Sequence, residues 1–289
     1  MAVASALLIA QWKLAVIQPI LYVWFLFMAV SVAIIAHNHN HVPIWRARFL
    51  NIATDYWLTL FYGFTAFGWI PTHNKNHHHL NNKKGDYTIT YRVSERNNIF
   101  TLLSYPSVSS YFQQKPIADY LKTLWRSDRG RFWLAASQYI LLGLYYTVSL
   151  LVNWKKALVF ILIPHQVSLF SVLIFNYVQH VHTDEESEYS HSRNFTGLIN
   201  LALFNNGYHT IHHKAPGIHW SKTPAAQKQI LNLIPPSLNE RSFWWYIARV
   251  YLLAPLHPRF ASVSMRLDRI NATQSTGDVP PSVGEQVTH

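Results

Sequence analysis

Long apolar runs alternate along this chain with short segments that are crowded with histidine. Residues 16–36 carry no charged side chain, and roughly 20 apolar residues suffice for a helix to cross a bilayer. Residues 132–152 and 157–175 form two further apolar runs, which the polar segment 153–156 joins. The pattern predicts one membrane span and, later in the chain, a transmembrane hairpin with a short turn.

Two other apolar segments do not fit a simple span. Residues 3–12 precede Lys13 and predict either an extension of the first span or a helix lying in the membrane interface. A cleavable signal peptide is disfavoured there, because no basic segment precedes the apolar run and the run is too long. Residues 50–71 are interrupted by Asp55 and Gly63, and we expect them to lie in the interface or to dip into the membrane and return without crossing.

The polar remainder of the chain divides into three parts. Residues 81–130 are rich in turn-forming residues and predict a membrane-side loop with short helices. Residues 242–256 predict an aromatic amphipathic helix in the interface, whereas residues 271–289 have no apolar period and predict disorder. The sequence therefore predicts an all-α integral membrane protein with three or four transmembrane helices, formed by residues 1–260 and followed by a tail over residues 261–289.

The amino-acid composition limits the kinds of site and partner that the chain can have. The 289 residues include no cysteine, which excludes disulfides, thiolate zinc sites and cysteine-ligated iron–sulfur clusters. The formal net charge of +11 suits anionic lipid headgroups or an acidic carrier. Nucleic acid is the least favoured partner, because no basic run coincides with a nucleic-acid motif. The 17 histidines occur in clumps, which indicates a shared role.

The histidines recur at spacings that place them on one face of a helix. His209, His212 and His213 stand at i, i+3 and i+4, and His37 and His41 stand at i and i+4, so each set can converge on one point. Other segments repeat these spacings, and their candidate ligands are His73, His77, His78, Asn176 and His180. One transition metal takes at most about six ligands, so nine imidazoles imply two metals, or one metal with spare histidines. Imidazole suits iron, zinc, copper and nickel alike.

Histidines that share a metal site must lie on one side of the membrane. The first span delivers His37 and the returning hairpin delivers His180 to the same side, and His73 joins them only if residues 50–71 do not cross. Of the 24 Lys and Arg residues, 21 lie on this side, which the positive-inside rule assigns to the cytoplasm. Three spans would place the N-terminus on the opposite side, and a fourth span over residues 3–15 would place it on the histidine side.

The order of the histidine boxes resembles that of the membrane fatty acid desaturase and hydroxylase superfamily. The boxes read H-x3-H, H-x3-H-H and H-x2-H-H and begin at His37, His73 and His209. A fourth element, Asn-x3-His beginning at Asn176, is similar to the additional ligand segment that precedes the last box in the family. The resemblance covers about residues 16–260.

This resemblance implies a cytoplasm-facing diiron centre that uses O2 and two electrons to attack an unactivated C–H bond, and an apolar tunnel that holds an acyl or alkyl chain. The iron ligands that it implies are His37, His41, His73, His77, His78, His180, His209, His212 and His213, with Asn176 as a further ligand, directly or through water. A separate ferredoxin or cytochrome b5-like protein would supply the electrons, because the chain has no haem-binding cytochrome b5 motif, no flavin fingerprint and no cysteine cluster. Its basic face suits such an acidic partner.

The reaction outcome stays open at this point. Desaturation of a lipid-, CoA- or carrier-linked acyl chain is the first hypothesis, and hydroxylation of an acyl chain, alkane or carotenoid-like substrate is the second. The box spacings and the run NYVQH also resemble the alkane ω-hydroxylases, which have an acidic residue where Gln179 stands here. A metal transporter is a third hypothesis, but it requires polar ligands at membrane depth, where only Gln138, His165 and Gln166 qualify.

The other histidines have weaker assignments. Three lie in or beside the boxes without a family counterpart, and we expect them to support the ligands: His39, His79 and His182. His165 is either a functional residue or a partner for a carbonyl that Pro164 frees, and His219 and Trp220 either line a tunnel mouth or close a loop. Ordinary surface or interfacial positions are expected for His191, His257 and His289.

Overall fold

The structure is a computed structural model that describes residues 1–275, and it is almost entirely helical. Its α-helices are α1 (Ala2–Lys13), α2 (Pro19–His41), α3 (Arg48–Tyr62), α4 (His78–Leu80), α5 (Ile99–Ser127), α6 (Arg129–Ala157), α7 (Ile163–His180), α8 (Ile199–Ala202), α9 (His209–Lys214), α10 (Thr223–Ile230), α11 (Phe243–Ile247) and α12 (Met265–Ser275). Three of the connecting segments are π-helical, namely Ile70–His77, Leu158–Leu162 and Ala248–Leu253. Two short strands, β1 (Asn194–Phe195) and β2 (Asn239–Glu240), pair in parallel.

Two stretches within residues 1–275 are long and apolar enough to cross a membrane: α2, and the continuous helical stretch Arg129–His180 that contains α6 and α7. The second stretch reverses direction at Asn153, whose backbone is not helical (φ −162°, ψ 95°). The Tyr146 hydroxyl consequently lies 2.8 Å from Nδ1 of His165 on the returning arm. The reversal falls in the segment 153–156, where the sequence predicts the hairpin turn.

Helix α1 is not an extension of the first span, which corrects one of the two alternatives for this segment. The backbone is extended at Leu14, and α1 folds back so that Ala4 packs with Ala33 and Ala36 of α2. The Lys156 ammonium donates a hydrogen bond to the Leu14 carbonyl at the hairpin turn. Met1, at the opposite end of α1, lines one cavity together with His39 and His41 from the end of α2.

Helix α3 is short, and the chain returns after it to the end from which it came. Its 15 residues span about 22 Å, less than the roughly 30 Å of a hydrocarbon core. Gly63 ends the helix in the left-handed region (φ 81°), as is common at helix C-termini. The π-helical segment then brings the His73 ring to 4.8 Å from that of His37, so residues 50–71 turn back as the sequence predicts.

The prediction of short helices over residues 81–130 is wrong, because α5 runs without interruption through 29 residues. Asn98 and Thr101 form a reciprocal capping box at its start, which satisfies amide groups that would otherwise lack partners. The helix retains Pro106 and Pro116 inside it. Although α5 is polar overall, one of its faces is buried and packs against α6 and α7. This face is formed by Leu102, Tyr105, Ser109, Ile117 and Leu124.

The C-terminal segments cover the histidine end. Residues 243–253 form an amphipathic helix that buries Phe243 and Tyr246 and exposes Trp244 and Trp245; its location at a bilayer interface stays a prediction. Disorder from residue 271 is wrong as far as Ser275, because α12 is anchored by its arginines: Arg266 and Arg269 both pair with the buried Glu185. Residues 276–289 lie outside the described part of the chain.

Candidate metal centre

The nine histidines of the boxes gather into two adjacent groups. The five-histidine cluster consists of His37, His41, His73, His78 and His212, and the four-histidine cluster consists of His77, His180, His209 and His213. Within each group the ligand nitrogens all lie within 4.8 Å of one another. The two groups touch, since the rings of His78 and His213 are stacked with centroids 4.4 Å apart.

The imidazole nitrogens converge on common points. In the five-histidine cluster, Nε2 of His73 is 3.1 Å from Nε2 of both His41 and His78. In the four-histidine cluster, Nε2 of His209 is 2.9 Å from Nε2 of His180 and 3.2 Å from Nε2 of His213. Neutral imidazoles present their lone pairs in this way to a shared cation.

A different local structure positions each of the three histidine boxes. His37 and His41 are one turn apart at the end of α2, and His209, His212 and His213 occupy the short helix α9. In the second box the π-helical segment Ile70–His77 passes into α4 at His78. This arrangement sends His77 and His78 to different clusters, although they are adjacent in sequence.

Asp86 fixes the orientation of His77. Its Oδ2 lies 2.8 Å from Nδ1 of His77, and both side chains are fully buried. The carboxylate also accepts hydrogen bonds from the Asn82 amide and from the Thr88 amide and hydroxyl, each at 2.7 Å. Burial alone would raise the pKa of Asp86, but His77 and the Thr88 bonds outweigh it and hold this pKa well below its usual range. The ionised carboxylate therefore accepts a hydrogen bond from the Nδ1–H group of His77, and Nε2 of His77 is directed into the cluster.

Backbone groups hold His180 in the same cluster. Nδ1 of His180 lies 3.1 Å from the His191 carbonyl, so it donates its proton there and turns Nε2 towards His209. The buried Arg193 donates to the carbonyls of Val178 (2.7 Å) and Val181 (3.0 Å) at the end of α7. A cation at this place satisfies terminal carbonyls and interacts favourably with the helix dipole.

Sequence reasoning missed these supporting residues. Asp86 has no helical spacing to any box, and Arg193 lies in a segment without a motif. His191 was expected at the surface, but it is buried and its ring lies 5.6 Å from that of His213. The only sequence signal was the scarcity of acidic residues, 13 in all, which makes an aspartate close to a histidine box conspicuous.

Burial keeps the cluster histidines neutral. The pKa values of His73, His78, His209, His212 and His213 all lie well below the usual 6.5, because burial disfavours the imidazolium and neighbouring imidazoles add repulsion. Burial likewise lowers the pKa of His191 to about 4. Neutral imidazole is the protonation state that binds metals.

A cavity of about 70 Å³, the inner cavity, lies against both clusters. His37 and His73 of the five-histidine cluster and His209 of the four-histidine cluster line it, and so do the largely apolar side chains of Tyr62, Phe64, Val172, Leu173 and Phe175. Asn176 also lines this cavity, and its amide donates to the Tyr105 hydroxyl at 2.6 Å. Asn176 makes no hydrogen bond to a cluster histidine, so its role as a ligand stays a prediction.

The histidines outside the boxes have other partners. His165 bonds to the Leu60 carbonyl and the Tyr146 hydroxyl, and it therefore joins three helices. His39 and His182 were expected beside the ligands, but His39 contacts Asp55 and His182 contacts backbone carbonyls of Glu95 and Ser262. Three further histidines are exposed, namely His79, His219 and His257, and His289 lies outside the described residues.

The donor set fits metal ions. Nε2 of His77 and Nε2 of His212, one in each cluster, are buried without a hydrogen-bond partner among the described residues. A buried polar atom without a partner is costly, and coordination would satisfy both atoms. Five nitrogens in one group and four in the other suit two transition metals of borderline softness.

Residues 10–245 match the sequence model described as fatty acid desaturase. No curated protein and no solved structure matches the chain.

Proposed function

Because this chain belongs to the fatty acid desaturase family, we propose that it is an O2-dependent oxidoreductase that introduces a double bond into a fatty acyl chain. The chain would be linked to a lipid, to CoA or to a carrier protein. The observation that carries the proposal is the inner cavity, which is lined both by apolar side chains and by histidines of the two clusters. A short stretch of hydrocarbon held there would lie against histidines of both clusters.

The nine cluster histidines would hold two irons, with Asn176 placed to act directly or through a water. When bound, the irons would supply the O2 activation and hydrogen abstraction on which the family depends. The protein would fix the reacting carbon close to the clusters, and such positioning can supply a large part of the lowering of a reaction barrier. Asp86 and the His191 carbonyl orient the ligands of the four-histidine cluster.

The reaction requires reducing equivalents from another protein. Removing two hydrogens with one O2 consumes two electrons and two protons and releases two waters. A ferredoxin or a cytochrome b5-like donor would deliver the electrons to the histidine side. That side carries most of the positive charge and would attract an acidic donor. We assign this side to the cytoplasm on the same charge distribution, with the protein crossing the membrane several times.

Hydroxylation of an acyl chain, an alkane or a carotenoid-like substrate is the second candidate. It is favoured by the likeness of the box spacings to those of alkane ω-hydroxylases. Gln179, which replaces the acidic residue of that branch, lines the inner cavity and donates to the Asn206 carbonyl at 2.9 Å. It is therefore a neutral wall residue, and it places no carboxylate beside the substrate.

Metal transport is less well supported. Gln138 accepts a hydrogen bond from the Phe67 amide at 3.0 Å, and His165 is engaged with Leu60 and Tyr146. Both therefore join helices instead of offering ligands along a path.

Lipid analysis of a host that expresses the chain with an electron donor tests this proposal. New unsaturated acyl chains are expected with the wild type and with the exposed-histidine control His257→Ala, and none with His212→Ala. New hydroxylated products would establish the second candidate instead. An iron-loaded, reducible protein that changes no lipid would refute both.

A further inference from the structure

Four of the 13 acidic residues of the chain lie in one loop beside the four-histidine cluster: Asp184, Glu185, Glu186 and Glu188. This acidic loop, residues 183–191, begins three residues after His180. A hydrogen bond from the Asp184 amide to the Ser190 carbonyl closes it at 2.9 Å. Its carboxylates belong to neither group of candidate metal ligands, both of which consist of histidines. They therefore have another role.

The two ends of the acidic loop meet at the four-histidine cluster. The Thr183 hydroxyl lies 2.7 Å from the His180 carbonyl and 3.0 Å from the His191 carbonyl, so it links the start of the loop to its end. The His191 carbonyl also accepts the hydrogen bond from Nδ1 of His180 at 3.1 Å. The position of the loop therefore determines how the ring of His180 is oriented.

The contacts of the acidic loop favour one cluster over the other. Within residues 1–275, none of its hydrogen bonds or ion pairs reaches a ligand of the five-histidine cluster. A displacement of the loop should therefore disturb the four-histidine cluster and leave the five-histidine cluster intact.

Two lysines beside the histidine boxes bind the outer part of the acidic loop. Lys83 pairs with Glu186 at 2.7 Å, and Lys214 at the end of α9 pairs with Glu188. The two carboxylates are 51% and 68% exposed. Because exposed ion pairs contribute little to stability, these lysines alone do not fix the loop.

Two arginines of α12 bind the inner part of the acidic loop. Arg266 places Nε 3.0 Å from Oε1 of Glu185 and Nη1 2.5 Å from Oε1 of Glu95. Arg269 places Nη2 2.9 Å from the same oxygen of Glu185 and Nε 2.7 Å from Oδ1 of Asp184. Hydrogen bonds between ionised partners are stronger than those between neutral groups. Each arginine therefore joins two carboxylates, and both share Glu185.

Glu185 depends on these two arginines. Its side chain is only 5% exposed. Oε1 receives both guanidinium groups, and Oε2 is buried without a hydrogen-bond partner within residues 1–275. Removing the partner of a buried charge is strongly destabilising. Without the arginines, Glu185 would have to turn out to water, and the acidic loop would move with it.

Helix α12 is held to the protein chiefly by these charges. None of its 11 residues is fully buried, so burial of apolar surface contributes little to its attachment. At its start the Met265 amide bonds to the His182 carbonyl at 3.3 Å. The helix follows residues 10–245, which match the family, so this attachment lies outside the part of the chain that the match covers.

We propose that α12 is a positioning element for the four-histidine cluster. Arg266 and Arg269 hold the acidic loop in place, and the loop holds the His191 carbonyl against Nδ1 of His180. Loss of the arginines loosens His180 and speeds the release of metal from this cluster alone. The inference rests on the proposed function in so far as that function places a metal in the four-histidine cluster.

Release of iron to a chelator tests this inference in the full-length protein. His41→Ala leaves the four-histidine cluster complete, and His77→Ala leaves the five-histidine cluster complete. Each background is loaded anaerobically with Fe²⁺ and mixed with an excess of a ferrous chelator. Arg266→Ala/Arg269→Ala should speed release roughly tenfold or more in the His41→Ala background, and release in the His77→Ala background should not change.

Two further variants separate positioning by charge from a general loss of structure. Arg266→Lys/Arg269→Lys keeps both positive charges beside Glu185 and should recover most of the slow release. Arg241→Ala/Arg259→Ala removes two exposed arginines and is the matched control, with release as in the unaltered background. Hydrogen exchange of residues 183–191 should speed up only in Arg266→Ala/Arg269→Ala.

The proposal fails if Arg266→Ala/Arg269→Ala leaves release from the His41→Ala background unchanged, or if it speeds release equally in both backgrounds. Release from the lysine variant that is as fast as from the alanine variant would also overturn it. In each of these cases the iron is bound, so the role of α12 alone is wrong. If the His41→Ala background binds no iron, the metal site of the proposed function is wrong as well.

Discussion

The cluster imidazoles depend on partners that decide which nitrogen faces the metal site. His77 and His180 donate through Nδ1 to Asp86 and to the His191 carbonyl. Nδ1 of His37 lies 3.2 Å from the Asn38 amide oxygen, whereas Nδ1 of His78, of His209 and of His213 is buried without a hydrogen-bond partner within residues 1–275. Within the four-histidine cluster, the orientation of His77 therefore depends on the Asp86 carboxylate.

Replacing Asp86 by asparagine should weaken metal binding at the four-histidine cluster alone. The change removes the anionic acceptor for His77, and loss of such a partner typically costs roughly 10- to 100-fold in metal affinity. Metal titration of the purified protein should show one weakened site and one unchanged site. Asp119→Asn, on the exposed side of α5, is the control, and equal weakening of both sites would contradict the assignment.

Acid should destabilise the metal-free protein. Because the folded-state pKa values of His73, His78, His209, His212 and His213 lie below 6.5, the unfolded chain binds more protons once the pH falls below that value. The contribution of these neutral histidines to stability is therefore complete above about pH 6.5. It falls as the pH decreases towards the folded-state pKa values, and burial places the pKa of His191 at about 4. The thermal midpoint in detergent should drop steadily between these limits, and a constant or rising midpoint would oppose this account.

At the scale of the elements, close approaches between helices keep the second box in place. Gly63 ends α3 with φ 81°, and a Cβ atom added there would lie 2.3 Å from Cβ of His165. His165 in turn bonds to α3 through the Leu60 carbonyl and to α6 through Tyr146. The return of the chain towards His73 begins at this contact.

Gly63→Ala should therefore destabilise the protein markedly. A left-handed backbone costs a non-glycine residue roughly 1–2 kcal/mol, and the clash with His165 adds to that cost. Gly143→Ala is the matched control, because a Cβ at Gly143 meets nothing within 4 Å. The thermal midpoints of the two variants in detergent are compared. Similar values would show that the Gly63 contact contributes little to stability.

What could be predicted from the sequence followed from regular spacing. Apolar runs located α2 and the hairpin, and i, i+3 and i+4 relations located the nine histidines. Helix α5 was not predicted, because its buried face contains Tyr, Ser and Pro as well as Leu. A sequence of this composition resembles a polar loop. Asp86, His191 and Arg193 were missed because they reach the clusters through loops, whose conformation no periodic pattern encodes.

At the scale of the whole molecule, the histidine boxes occupy one end and the hairpin turn the other. Lys156 in the turn contacts the Leu14 carbonyl, just after α1, whereas Met1 lines the same cavity as His39 and His41. Residue 1 therefore stands at the histidine end. Helix α1 has only 12 residues and is about 18 Å long, shorter than a hydrocarbon core, so the side of the membrane on which the N-terminus lies stays a prediction.

Single cysteines test this topology directly, because the chain contains none. Lys84→Cys and Lys155→Cys place reactive thiols at exposed positions near the boxes and at the hairpin turn. In intact cells a membrane-impermeant maleimide should label Lys155→Cys and should reach Lys84→Cys only after lysis. Labelling of both variants in intact cells would contradict the proposed orientation.

Iron analysis of the purified protein addresses the central claim, that the two histidine clusters are two metal sites. The wild type should hold about two irons per chain. His41→Ala and His77→Ala, which each remove one ligand from a different cluster, should each leave about one. A wild-type protein that binds no iron under anaerobic ferrous loading, or variants that both retain the full complement, would contradict the account.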